Sequence, residues 1–254
     1  MAEYDELLEL IERAAWKAGD AILEIYETDF DVARKSDRSP VTQADAAAEA
    51  IIIEHLRLVG TTVIAEELAE REGLPEVAPD RFWLVDPLDG TKEFIKKNGE
   101  FTVNIALVEH GVPVLGVVGI PAKGLIYAAS GPGTAHKKHR DGATRPIAAR
   151  SCPEAGATIA YSRSHADMAE LEAFLGSRRV ADRIVAGSAL KFCLVAEGVA
   201  DLYPRLGPTM EWDTAAGQAV LEAAGGRVET LDGKPFRYGK PGFRNTGFVA
   251  LGRG

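Results

Sequence analysis

"FWLVDPLDGTKEF", Phe82 to Phe94, carries an apolar run straight into two carboxylates. Phe82 to Val85 has the composition of a buried strand. Asp86 follows, and Pro87, with no N–H to donate, is expected to stop the ladder. Asp89-Gly90 predicts a tight turn, and "TKEF" from Thr91 predicts a helix start whose free N–H groups point back at that turn. Carboxylates facing one another off strand ends repel, and raise each other's pKa unless a cation sits between them. Hard oxygen donors, in a chain with only 5 histidines, suit Mg²⁺ rather than Zn²⁺. A helix N-terminus beside a metal suits a phosphate. Taken alone, D-x-x-D-G also reads as a plain turn with Asp86 as a cap.

On the N-terminal side, Leu7, Leu8, Ile11, Ala14, Ala15, Ala18, Ile22 and Ile25 recur at three and four, which predicts an amphipathic helix. After the polar "DVARKSDRSP", the stretch "VTQADAAAEAIIIEHLRLV" predicts a second helix with Thr42 as its cap. "TTVIAEE" reads as a short strand ending at Glu66 and Glu67. On the C-terminal side, "FTVNIALVEHG", "VPVLGVVGIPAKG" and "LIYAASGPG" predict an antiparallel meander. Beyond about residue 150 strands and helices alternate. The expected organisation is therefore a 1–150 α+β part with most of the carboxylates and a 151–254 α/β part that completes the site.

A third acidic end appears in "EWDTAAG", where Asp213 precedes a helix. Asp213 alone could be an N-cap, and Glu66 with Glu67 a solvated pair. Together, three acidic ends beside apolar sequence point to one charged volume. The net charge of −9 disfavours a nucleic-acid polymer as partner, while a small anion would need cations or a local basic cluster to overcome the field. Cys152 and Cys193 are isolated, which excludes a disulfide framework. Cys193 reads as a small core residue. The opening "MAEYDELLELIERAAW" is acidic and amphipathic, unlike a signal peptide. No apolar run reaches the roughly 18 residues a transmembrane helix needs. The cytoplasm is the expected compartment, with peripheral attachment to the inner membrane left open. "HKKH", His136 to His139, reads as a solvated charged turn.

"DPLDGTKEF", "EWDTAAG" and the upstream "EE" resemble the signature of the inositol monophosphatase superfamily, which is Mg²⁺-dependent and lithium-sensitive. "SPVTQAD", "YSRSHAD", "SALKFCLVAEG" and "LYPRLGPT" resemble its bacterial bisphosphate nucleotidase branch, and the likeness runs from about Ser39 to the end. The resemblance implies a layered αβαβα sandwich. It implies Glu66, Asp86, Asp89 and Asp213 as metal ligands, with the Leu88 carbonyl added, for on the order of two or three Mg²⁺ ions. It implies that Thr91, held by Asp45 or Glu67, orients the attacking water, and that the N–H groups of Gly90 and Thr91 hold the phosphate. The substrate would also meet Glu66, Leu88, Asp89 and Asp213. Ser188, Lys191 and Arg205, with His165 as a further candidate, fall where the family grips a second phosphate and a nucleoside. On the residues alone, Lys191 and Arg205 could be surface charges, and Thr42-x-x-Asp45 fits a capping box. "SALK" predicts that Ser188 and Lys191 share one helix face. The position after the two glutamates is usually acidic or hydroxylic in the family; here it is Leu68.

The implied activity is removal of the 3′-phosphate from adenosine 3′,5′-bisphosphate, clearing a by-product of sulfur assimilation, with 3′-phosphoadenylyl sulfate as a second substrate. An inositol or sugar monophosphatase is the rival enzyme, and a metal- and nucleotide-binding sensor without turnover is the rival of another class. Monomer and homodimer both stay open.

Overall fold

The computed structural model describes residues 2–28, 40–163 and 167–254. In chain order the elements are α1 (Ala2–Tyr26), α2 (Pro40–Arg57), β1 (Thr62–Ala65), α3 (Glu66–Glu72), β2 (Arg81–Asp89), α4 (Thr91–Ile95), β3 (Thr102–Glu109), β4 (Val112–Ile120), β5 (Leu125–Ala129), β6 (His136–His139) and β7 (Thr144–Pro146). They continue with β8 (Ala157–Ser162), α5 (Met168–Leu175), β9 (Val180–Ala186), α6 (Leu190–Ala196), β10 (Leu202–Arg205), β11 (Thr209–Met210), α7 (Ala215–Ala223), β12 (Arg227–Thr230), β13 (Arg244–Asn245) and β14 (Phe248–Leu251).

Strands β1 to β7 form a seven-stranded sheet in sequence order, parallel only at β1–β2. The alternation of β2 assigns its two faces. Trp83 and Val85 join the stripe of α1 and the buried face of α2 in one core. Phe82 and Leu84 join α6 and α7 in another. A strand covered on both faces reads as an unbroken apolar run, which is why "FWLV" shows no polar alternation. Helices α6 and α7 are too short to stand alone. They form because each buried Leu, Val or Phe contributes about 1.5–3 kcal/mol. Gly116 of β4 permits the close fit: a Cβ there would lie 2.6 Å from the Ala216 carbonyl oxygen of α7.

Beyond α6 and α7 lies a five-stranded sheet in the order β12-β14-β10-β8-β9. Its far face packs Ile159, Leu202 and Val249 against Leu171 and Leu175 of α5. The layers are therefore α1/α2, sheet, α6/α7, sheet, α5, the αβαβα sandwich that the motifs imply. No helix among the described residues is long and apolar enough to cross a membrane.

Three local expectations are corrected. Pro87 does not end β2: pairing resumes at Asp89 opposite Thr102, past a register shift. Proline is tolerated there because the shifted backbone leaves the ladder. Thr42 is not a cap, since α2 already begins at Pro40, a residue favoured in a first helical turn; the Thr42–Asp45 capping box goes with it. "HKKH" is strand β6 rather than a solvated turn. His136 and Lys138 reach Glu12 of α1, while Lys137 reaches Glu197 just past α6, so alternate side chains tie down both helical layers. Cys193 is a fully buried core residue as expected, and Cys152 is exposed.

Candidate active site

A cavity of about 320 Å³ opens where β2, α4, α6, β10 and the start of α7 converge. Glu66, Asp86, Asp89 and Asp213 line it, and so do Lys191 and Arg205. The bulge in β2 explains how two aspartates three apart meet. Between Asp86 and Asp89 the chain advances three residues while β3 advances from Asn104 to Thr102, two residues. In a regular strand positions i and i+3 face opposite ways; the one extra residue turns both carboxylates to the same cavity. Leu88 sits in that bulge, and its N–H donates to Asp86 Oδ1 at 3.1 Å.

Burial raises the pKa of every one of these acids, and acidic neighbours add to it for Glu66, Asp86 and Asp213. Asp86, 1% exposed, is pushed well above the usual carboxylate range by burial, then by Glu66, Asp89 and Asp213. Glu66 is raised to about 7 by burial and then by Asp89 and Glu67. Asp213 reaches about 8 through burial and Asp89. Asp89 is raised by burial, against the pull of Lys191, the Ala189 N–H and Asn104. Asp213 is no N-cap: its carboxylate accepts from the Met210 N–H at 2.8 Å, and α7 is preceded by Thr214. Nearby Glu211, fully buried, accepts from the N–H groups of Gly239 and Lys240 and so fixes the chain ahead of Asp213.

Among the described residues, no three His, Cys, Asp or Glu side chains already stand as a gathered metal-holding group. The carboxylates ring the cavity instead, and two of the basic groups that line it with them, Lys191 and Arg205, are turned to other partners. The donor set is wholly hard oxygen and mutually repulsive, which fits a hard divalent cation.

Gly90, at φ 97, lets the chain swing from β2 into α4. Thr91 opens α4 on the cavity wall, so the Gly90 and Thr91 backbone borders the acidic side. Asp45 and Glu67 do not line the cavity, and among the described residues neither is hydrogen-bonded to Thr91. Asp45 is raised to about 9 by burial, then by Glu67 and Glu66, and its Oδ1 is buried without a partner.

The basic side differs from the expected helix face. Ser188 lies ahead of α6 at φ 49, and its Oγ donates to the Asp89 carbonyl at 2.9 Å. Lys191 Nζ donates to the Ser188 carbonyl at 2.6 Å and lies 5.1 Å from the centre of the Tyr203 ring. It is 3% exposed, and burial lowers its pKa to about 8. Neither Lys191 nor Arg205 is a plain surface charge. Arg205 donates to the Pro208 carbonyl through Nη2 at 3.3 Å, while its Nε is buried without a partner. Arg205 and Ser162 also border a smaller cavity of about 90 Å³. His165 lies outside the described residues.

The sequence profile of the inositol monophosphatase family matches residues 3–247. The chain belongs to the inositol monophosphatase family. Within it, the chain is 47% identical over 247 residues to a protein of Escherichia coli strain K12 named 3′(2′),5′-bisphosphate nucleotidase CysQ, covering 95% of this chain and 98% of that one. Among solved structures, CysQ from Bacteroides thetaiotaomicron superposes with a TM-score of 0.83 at 39% identity, over 98% of both chains. An inositol monophosphatase from Zymomonas mobilis superposes with a TM-score of 0.80 at 25% identity, over 98% of this chain and 94% of that one. Membership agrees with the layered fold and with the motifs on the cavity wall.

Sequence reasoning missed Glu49, Glu211 and Tyr203. Tyr203 lies within the quoted "LYPR" and lines the cavity two residues before Arg205, on the same strand face.

Proposed function

We propose that this chain is a Mg²⁺-dependent 3′(2′),5′-bisphosphate nucleotidase that converts adenosine 3′,5′-bisphosphate and water to AMP and phosphate. The observation that carries the reading is full-length identity of 47% to a protein of that name. A cavity lined by both acidic and basic side chains supports it, because a bisphosphate needs a reacting centre and a second anion site.

Glu66, Asp86, Asp89, Asp213 and the Leu88 carbonyl are the proposed holders of the metal. When bound, Mg²⁺ polarises the phosphoryl oxygens and neutralises charge that develops on them. The chain's own groups do the rest. The Gly90 and Thr91 N–H groups orient the scissile phosphate, and the Thr91 hydroxyl orients the water. A hydroxyl cannot act as a strong base, so Asp45 or Glu67 would have to come within hydrogen-bond reach of Thr91 to take the proton on. Lys191 and Arg205 hold the second phosphate with charge-assisted bonds. 3′-Phosphoadenylyl sulfate presents the same 3′-phosphate and is the proposed second substrate, which would place the enzyme in clearance after sulfate activation in the cytoplasm.

The test is a phosphate-release panel on purified protein with adenosine 3′,5′-bisphosphate, its 2′,5′ isomer, 3′-phosphoadenylyl sulfate, inositol 1-phosphate and fructose 1,6-bisphosphate. The bisphosphate nucleotides should lead in kcat/KM. Preference for inositol 1-phosphate would make the chain a monophosphatase, and no release from any would leave the sensor reading.

A further inference from the structure

Helix α3 begins at Glu66, a proposed metal holder, yet the residue ahead of it cannot cap it. Ala65 occupies the N-cap position with extended geometry and no side-chain hydrogen bond. A helix start leaves its first N–H groups without partners, and a side-chain oxygen normally accepts from the second or third helical residue. In α3 those residues are Glu67 and Leu68. Leu68 has no side-chain oxygen, so it cannot reach back as a glutamate or glutamine at the third position does in a capping box. Its side chain instead packs into the core beside α1 and α2.

Glu49 of α2 supplies the missing acceptor. Its Oε2 accepts from the Leu68 N–H at 3.1 Å. Glu49 is 2% exposed, so the carboxylate is buried and committed to this helix start. It lies one helical turn after Asp45, on the same face of α2.

We infer that Glu49 is a positioning residue: from a neighbouring helix it caps α3, and so holds Glu66 and Glu67 at the edge of the acidic cavity wall. The inference rests on the proposed metal-dependent function. The role is that of an acceptor. A neutral amide oxygen has the same reach and should replace the carboxylate, just as Asn and Asp cap helices about equally well.

The test is a Mn²⁺ titration of full-length protein without substrate, with free ion followed by electron paramagnetic resonance, so that turnover plays no part. Glu49→Ala should weaken Mn²⁺ binding by about 10- to 100-fold, the usual effect of removing a group that orients a ligand. Glu49→Gln should stay within about threefold of wild type. Hydrogen exchange at the Leu68 amide should speed up in the alanine variant and stay slow in the glutamine variant. Unchanged Mn²⁺ affinity in Glu49→Ala overturns the inference. So does an equal fall in Glu49→Gln, which would mean that charge rather than capping matters. If Glu49→Ala does not fold, the glutamine variant decides the matter alone: retained affinity supports the cap and lost affinity refutes it. A wild-type chain that does not bind Mn²⁺ would instead refute the metal-dependent function itself.

Discussion

Gly90→Ala is the substitution for which the structure makes the sharpest demand. Gly90 stands at φ 97 and ψ 50, a conformation that costs a residue with a Cβ about 1–2 kcal/mol. The new methyl would also collide with Ser188 Oγ and come within 3.3 Å of both Glu93 Oε2 and the Phe101 Cα. Ser188 must then leave the Asp89 carbonyl, which forfeits a hydrogen bond worth about 0.5–1.5 kcal/mol. Alanine restricts the unfolded chain and returns about 0.4–1 kcal/mol. The net loss is roughly 0.5–3 kcal/mol, or about 1–12 °C in Tm at ~2–4 °C per kcal/mol for a chain of this size. The functional loss should be larger than the stability loss, because the same contact joins Asp89 to the turn that leads into α6 and Lys191. A displacement of about 1 Å can cost ~100-fold in rate. Thermal melts and phosphate release on the same preparation give both numbers. Adding Ser188→Ala should relieve the collision but not the backbone strain, so Tm should recover only in part. A Gly90→Ala variant with normal Tm and normal turnover would refute the proposed coupling between this turn and the basic wall.

Lys191→Ala with Arg205→Ala should raise KM for adenosine 3′,5′-bisphosphate by at least about tenfold, since a charge-assisted hydrogen bond contributes ~1.5–3 kcal/mol. Hydrolysis of 3′-AMP should hardly change, and equal losses on both substrates would remove these residues from the second phosphate. Li⁺, hard and small but with half the charge of Mg²⁺, should inhibit at concentrations where Na⁺ does little; equal effects of the two salts would reduce this to ionic strength. The β6 clamp gives a pH-dependent stability. The Glu12 hydrogen bond, against burial, raises the pKa of His136, and burial of Glu12 is outweighed by His136 and Lys138, which hold it low. A histidine raised on folding stabilises fully below its unfolded value of about 6.5, and that contribution disappears as pH rises through the folded value. Tm should therefore fall as pH climbs through that window, and His136→Asn should flatten the slope. An unchanged slope would mean that other groups set it.

Single elements and the acidic ends were legible in the sequence because their causes are local, whereas the layered sandwich came from the family resemblance. The apolar run of β2, the helical stripe of α1, and carboxylates placed at element ends all follow from residues a few positions apart. What the sequence hid depends on distant partners. The β2 bulge is defined only against β3, so Pro87 looked like a stop. His136 looked solvated because Glu12 lies 124 residues away. Glu49 showed only as one more helical acid, since what it caps begins beyond the intervening turn and strand. Asp45 and Glu49, spaced four apart in the otherwise apolar stretch from Ala44 to Ile53, were the available signal. Ser188 and Lys191 were expected on one helix face, yet Ser188 at φ 49 precedes α6 and gives its hydroxyl to Asp89. Backbone strain of that kind leaves no trace in spacing.

Phosphate release from adenosine 3′,5′-bisphosphate by wild type and Asp89→Asn, each with Mg²⁺ and with chelator, tests the account at its centre. The substitution keeps the shape of the side chain and removes one negative charge from the acidic wall. Wild type should turn over only with Mg²⁺, and Asp89→Asn should fold normally yet lose nearly all release under both conditions. Metal-independent release by wild type, or near-normal release by Asp89→Asn, would contradict it.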